Sequence, residues 1–199
     1  MTDDPAAWMI PGGAFLAVVV YFVLRARGER KREGHFAALA AHRGAVVESF
    51  GVNAKRFFVA VDDRRVDVRD AYRGGGIGGT SSGSHYLTIA TPLRGRSWDL
   101  HSVKIGKRFL SKSGEPFERR FKVEDLGLPM PEQWLTADVR AGVEAVFAVG
   151  VAAAVIEIDA GELVHRAMAS PVEVDAETLD SLVERQVALA RAIERARPR

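Results

Sequence analysis

Apolar and polar positions along the chain fall into three kinds of pattern. From Ala6 to Leu24 (AAWMIPGGAFLAVVVYFVL) nineteen residues pass without a charge, enough as a helix to cross about 30 Å of hydrocarbon. Between residues 45 and 124, short runs alternate apolar and polar positions with period two, as half-buried strands do. Beyond residue 136 two segments place apolar residues three and four apart, the spacing of an amphipathic helix.

These patterns predict the elements. His35 to Arg43 (HFAALAAHR) puts Phe36, Leu39 and Ala40 on one helical face, with Gly44 placed to end the helix. Strands are expected at Ala45 to Ser49, Arg56 to Val61, Arg65 to Tyr72, Tyr86 to Thr91 and Trp98 to Ile105. Phe121 and Val123 share one face of a further segment, Phe117 to Glu124. Asp62-Asp63 and Ala160-Gly161 read as hairpin turns, the second between Ala153–Asp159 and Glu162–Met168. Thr136 and Asp175 stand where helix N-caps belong. Strands at such short spacing imply an antiparallel meander.

The fold class expected is therefore α+β: an N-terminal transmembrane helix, then an antiparallel sheet domain with helices packed mainly on one face. The divisions are an anchor at 1–24, a basic juxtamembrane segment at 25–34, and a domain at 35–199. Within the domain, sub-parts 35–125 and 132–199 are joined by the Pro-containing linker Leu126 to Pro131 (LGLPMP).

Flanking charge sharpens the N-terminal reading. Trp8 and Tyr21 lie near the ends of the apolar run, where amphipathic rings favour the membrane interface. Arg25, Arg27, Arg30, Lys31 and Arg32 follow it, and Asp3 and Asp4 precede it. That asymmetry keeps the main body cytoplasmic in a single-pass protein of the bacterial inner (plasma) membrane. A cleaved signal peptide needs a positive n-region, which is missing here. A buried core helix fits less well because the run has no polar face. Ala145 to Ile156 is apolar but too short for a second span. The chain has no cysteine, which removes disulfides, thiolate zinc sites and cysteine nucleophiles.

The stretch RGGGIGGTSSGSHY (73–86) satisfies two catalytic signatures at once, G-x-G-x-x-G from Gly74 to Gly79 and G-x-S-x-G around Ser81. A dinucleotide fingerprint needs a helix to follow the glycines, and here a second strand follows. No G-K-[ST] follows them, and no kinase signature accompanies them. A nucleophile elbow also requires a strand-to-helix turn. Asp159 and His165 complete a triad in chain order only. The segment reads as a hairpin loop, and no catalytic residue or cofactor is expected. His35 and His42 are seven apart, and His85, His101 and His165 are scattered over separate strands. That is no spacing for a metal site.

Charge is uneven. From Arg94 to Lys122 nine basic residues face three acidic ones, whereas Ala137 to the end carries seven basic and eleven acidic. Arg94, Arg96, Lys104, Lys107, Arg108, Arg119, Arg120 and Lys122 are thus candidate contacts for anionic lipid headgroups or a protein partner. The competing reading is a solvated strand face whose charges prevent edge pairing. Nucleic acid is disfavoured, since no helix-turn-helix or RNP-like motif is present. In the last helix Leu179, Leu182, Leu189 and Ile193 fall on one seam with Gln186. The seam suits either packing on the sheet or a homodimer or partner contact, and it is too short for a convincing coiled coil.

The segment GEPFERRFKVED (114–125) resembles an element of membrane-anchored bacterial proteins of unknown function, which carry one N-terminal span, a strand-rich middle and a GDxxFDxxFxV-like motif. Gly114, Glu115, Phe117, Glu118, Phe121 and Val123 are the corresponding residues, with Glu for both Asp. The resemblance implies architecture and location, and no activity. The expectation is a membrane-anchored, cytoplasm-facing, non-catalytic interaction or scaffolding domain that meets the bilayer through residues 6–24. The alternative is a small membrane-tethered hydrolase or nucleotide-binding protein using the Gly74–Ser84 loop.

Overall fold

The computed structural model describes residues 6–50, 54–73, 84–95, 100–108, 114–128, 130, 133–151, 154–167 and 174–196. Helix α1 (Ala6–His42) leads into strands β1 (Glu48–Ser49), β2 (Ala54–Val61), β3 (Arg64–Arg73), β4 (Ser84–Pro92) and β5 (Val103–Lys107). Then come α2 (Pro116–Arg120), β6 (Phe121–Asp125), α3 (Ala137–Phe147), β7 (Ala154–Asp159), β8 (Glu162–Ala167) and α4 (Ala176–Arg195). The strands form one antiparallel sheet in the order β1-β2-β3-β4-β8-β7-β5-β6.

That order draws strands from both sub-parts of the domain. The β7–β8 hairpin, from the C-terminal sub-part, sits between β4 and β5 of the N-terminal one. The two sub-parts therefore share one sheet and one core. Tight turns close its hairpins. Asp62 (φ 54°), Ala160 (φ 47°) and Gly161 (φ 76°) occupy left-handed backbone, a region that suits glycine and that asparagine and aspartate tolerate better than most.

One face of the sheet is apolar and covered by helices. Val68, Ile89, His165, Ile156, Ile105 and Val123 lie in one register row across it. Leu179, Leu182, Leu189 and Ile193 of α4 are at most 1 % exposed against this face. The α4 stripe therefore packs on the sheet, and those four residues present no seam to a partner. The predicted caps form: Thr136 Oγ1 accepts from the Val139 amide at 3.4 Å, and Asp175 Oδ1 from the Thr178 amide at 2.7 Å. At the far end of α4, Glu194 takes both arms of the buried Arg64 guanidinium at 2.9 and 2.6 Å, tying the helix to the β2–β3 turn.

The expectation of a transmembrane helix is overturned: among the described residues, no helix is long and apolar enough to cross a membrane. Residues 6–24 are not a separate element either. They begin the 37-residue helix α1, which continues through the charged segment 25–34 and ends inside the domain. The helix expected at 35–43 is its last two turns, with Phe36, Leu39 and Ala40 in the core. Described apolar side chains in its first half run from Leu16 to Leu24. Trp8 lies outside the residues whose side chains are described.

One smaller expectation also changes. Phe117 to Glu124 is not extended throughout, because Pro116 opens the short helix α2 and β6 begins only at Phe121.

Candidate functional site

Helix α1 divides at Arg32. Before it, Leu16, Val19, Val20, Tyr21, Phe22, Val23 and Leu24 are 40–64 % exposed. Successive helical residues turn by about 100°, so Val19 to Leu24 cover every side of the helix and no single protein face can bury them all. Arg27, Arg30 and Lys31 follow, exposed as well. Arg32 turns inward instead, its Nε 3.4 Å from the buried Asp70 carboxylate. Burial pushes the Asp70 pKa up, against the pull of Arg32 and Lys55. Beside this pair, Lys55 meets Glu33 at 2.8 Å, and that hydrogen bond holds the Glu33 carboxyl below its usual range. His35 Nε2 is 2.9 Å from the Val174 carbonyl, and the Phe36 ring lies 4.9 Å from that of Phe57. The second half of α1 is thus locked to β2, β3 and the approach to α4, and the first half projects from the fold.

The eight candidate basic residues do not make one face. Arg94 lies at the end of β4, paired with Asp63. Arg96 is outside the described residues. Lys104 is on the open sheet face, and Lys122 is paired with Glu124 on the edge strand. The other four converge. Lys107, Arg108, Arg119 and Arg120 surround a hollow of about 330 Å³ whose floor is Phe121 and Phe147. The Arg108 amide donates to the Arg120 carbonyl at 2.8 Å, which brings the two segments together. Of the four, Arg120 reaches an acid, Glu144, at 3.1 Å. Lys107 and Arg120 lie over the aromatic floor, 5.7 Å from the Phe147 centroid and 5.4 Å from that of Phe121, within the range of cation–π attraction.

The open face of the sheet holds a groove of about 490 Å³, lined by Tyr86, Thr88 and Val164 among others. Its charges are largely satisfied internally, with Arg69 to Asp67 at 2.8 Å and Arg166 to Glu157 at 2.9 Å.

The candidate triad does not assemble. Asp159 lines the groove on the open face, whereas His165 is on the helix-covered face, 2 % exposed and in register with Ile89 and Ile156. The sheet separates them. Among the described residues His165 Nε2 has no hydrogen-bond partner, and burial pushes its pKa down to about 4, so the ring is neutral near pH 7. Ser81 and the glycine stretch lie outside the described residues. His42 pairs with Asp180, and His101 Nδ1 is 3.3 Å from the Leu128 carbonyl. Among the described residues no three potential metal ligands cluster.

Sequence reasoning missed Asp70, and it placed Gln186 on the α4 seam without a role. Gln186, 1 % exposed, donates from Nε2 to the carbonyls of Ile89 and Leu163 at 2.7 Å each. The signal for Asp70 was present, since it follows Val66 and Val68 at strand period on their buried face.

Comparison with known protein families, with characterised proteins and with solved structures gives no match to this chain. The element from Gly114 to Val123 also carries one residue fewer between Glu115 and Phe117 than the GDxxFDxxFxV pattern it resembles.

Proposed function

We propose that this chain is a non-catalytic interaction module held at the cytoplasmic surface of a bacterial plasma membrane by the exposed apolar part of α1. The observation that carries this reading is the run from Val19 to Leu24, apolar on all sides of a helix whose last turns are fixed in the core. Water is a poor medium for such a surface. Contiguous exposed apolar patches mark protein or membrane contacts. A helix exposed all round is better matched by lipid, which surrounds it, than by a partner's single face. Arg27, Arg30 and Lys31 then stand at headgroup level, where an anionic leaflet attracts them. The separation of Asp159 from His165 by the sheet, and the internal pairing of the groove's charges, favour interaction over catalysis.

The test uses the absence of native cysteine. Tyr21→Cys and Val46→Cys are each labelled with an environment-sensitive dye on the full chain. On adding phosphatidylcholine vesicles, the dye at 21 brightens and shifts to the blue, while the dye at 46, on the domain surface, stays in water. A dye at 21 that stays in water would overturn the reading.

A further inference from the structure

The strand register places the basic hollow and the root of the projecting helix at the same end of the sheet. Lys55, Asp70, Leu87, Ala167 and Ala154 stand in one row across β2, β3, β4, β8 and β7. Gly106 pairs with Val155, so Lys107, paired with Phe121, continues that row at the opposite edge. Arg32 and Glu33 of α1 are tied to its first two members, Asp70 and Lys55. From β3 to β5 is four strand spacings, about 19 Å. A flat surface at the root of the α1 arm therefore lies within reach of Lys107, Arg108, Arg119 and Arg120.

The hollow's chemistry suits such a surface. Among the described residues its four cations meet one acid, Glu144. Arg108 and Arg119 are exposed and have no ion pair among the described residues. Phe121 and Phe147 give it an apolar floor, a composition matched to the boundary between headgroup and chain.

Resting on the reading of α1 given above, we propose that the Lys107, Arg108, Arg119 and Arg120 cluster docks on the phosphates of anionic lipid headgroups. It is a second contact that orients the sheet end-on to the membrane. A weak insertion and a basic patch together hold a protein where either alone is reversible. Lys104, on the open face, and Arg94, beside α4, take no part.

The test is a vesicle titration of the full chain, with phosphatidylcholine alone and with added phosphatidylglycerol. The quantity read is the ratio of the two partition constants. Arg108→Gln/Arg119→Gln lowers that ratio about 25-fold at low salt, roughly fivefold per residue. Lys122→Gln, already paired with Glu124, changes it by less than about twofold. High salt removes the excess for the anionic vesicles. Melting temperatures of the variants match that of the parent, which separates docking from folding. An unchanged ratio in the double variant overturns the proposal. So does displacement by inorganic phosphate beyond that by chloride at equal ionic strength, which assigns the hollow to a free anion. Failure to bind neutral vesicles speaks against the α1 arm instead. The cluster is then judged by whether the double variant loses salt-sensitive binding to the anionic vesicles.

Discussion

Helices α1 and α4 are both long and rich in apolar residues, and they dispose of them in opposite ways. In α4 the apolar positions recur three and four apart. Leu179, Leu182, Val183, Val187, Leu189 and Ile193 are all at most 2 % exposed on the sheet. In the first half of α1 they are consecutive, and every described one from Leu16 to Leu24 is at least 40 % exposed. Spacing decides the outcome more than quantity does. A stripe at the helical period presents one face, which one sheet can cover. A continuous run presents all faces, and none of the described elements closes over it.

The largest effects belong to the buried helix. Leu182→Ala removes a side chain that is 1 % exposed from between α4 and the sheet. It is expected to cost about 2–5 kcal/mol of unfolding free energy by denaturant titration. A loss under about 0.5 kcal/mol would mean that α4 is not docked as described.

Acid comes next. His165 sits on the face that α4 covers, and burial lowers its pKa to about 4 from a usual 6.5. Below pH 6.5 the unfolded chain binds a proton that the folded chain refuses, so stability falls as pH drops from about 6.5 to about 4. The full difference is about 3 kcal/mol. Unfolding free energies across this window should fall by about that much more in the parent than in His165→Leu. Equal pH slopes would show His165 to be solvated.

A smaller effect tests how closely α3 approaches α4. A Cβ on Gly142 would stand 2.9 Å from Leu189 Cδ1 and 3.4 Å from Leu189 Cα. Leu189 is fully buried and has little room to yield. Gly142→Ala should therefore destabilise by about 1 kcal/mol, although alanine favours an isolated helix by about the same amount. A higher melting temperature in this variant would place the helices further apart.

The same contrast explains what the sequence made legible. Periodicity gave the hairpins around Asp62-Asp63 and Ala160-Gly161, both N-caps and the α4 stripe, because each is local. The strand order was not legible. Nothing near β7 or β8 announces that they insert between β4 and β5, since that depends on pairing Val103 with Ile158, 55 residues away, and Pro92 with Glu162, 70 residues away. The division within α1 was hidden because Arg32 looks like any member of its basic run, and its pairing with the buried Asp70 lies far along the chain. The charge count from Arg94 to Lys122 was accurate, but linear proximity scattered those residues over two faces and two ends of the sheet. Only the pairing of β5 with β6 gathers four of them around one hollow.

The smallest expected effect on stability carries the most about function. Val20→Asp/Phe22→Asp places two charges on the exposed arm of α1, where neither parent side chain supports the core. The melting temperature should not change. Sedimentation of the full chain with phosphatidylcholine vesicles tests the central claim most directly. The parent is expected to pellet with the vesicles and the double variant to stay in the supernatant, still folded. A variant that pellets as the parent does, or a folded parent that stays in solution, would contradict the claim that this arm holds the module at a membrane.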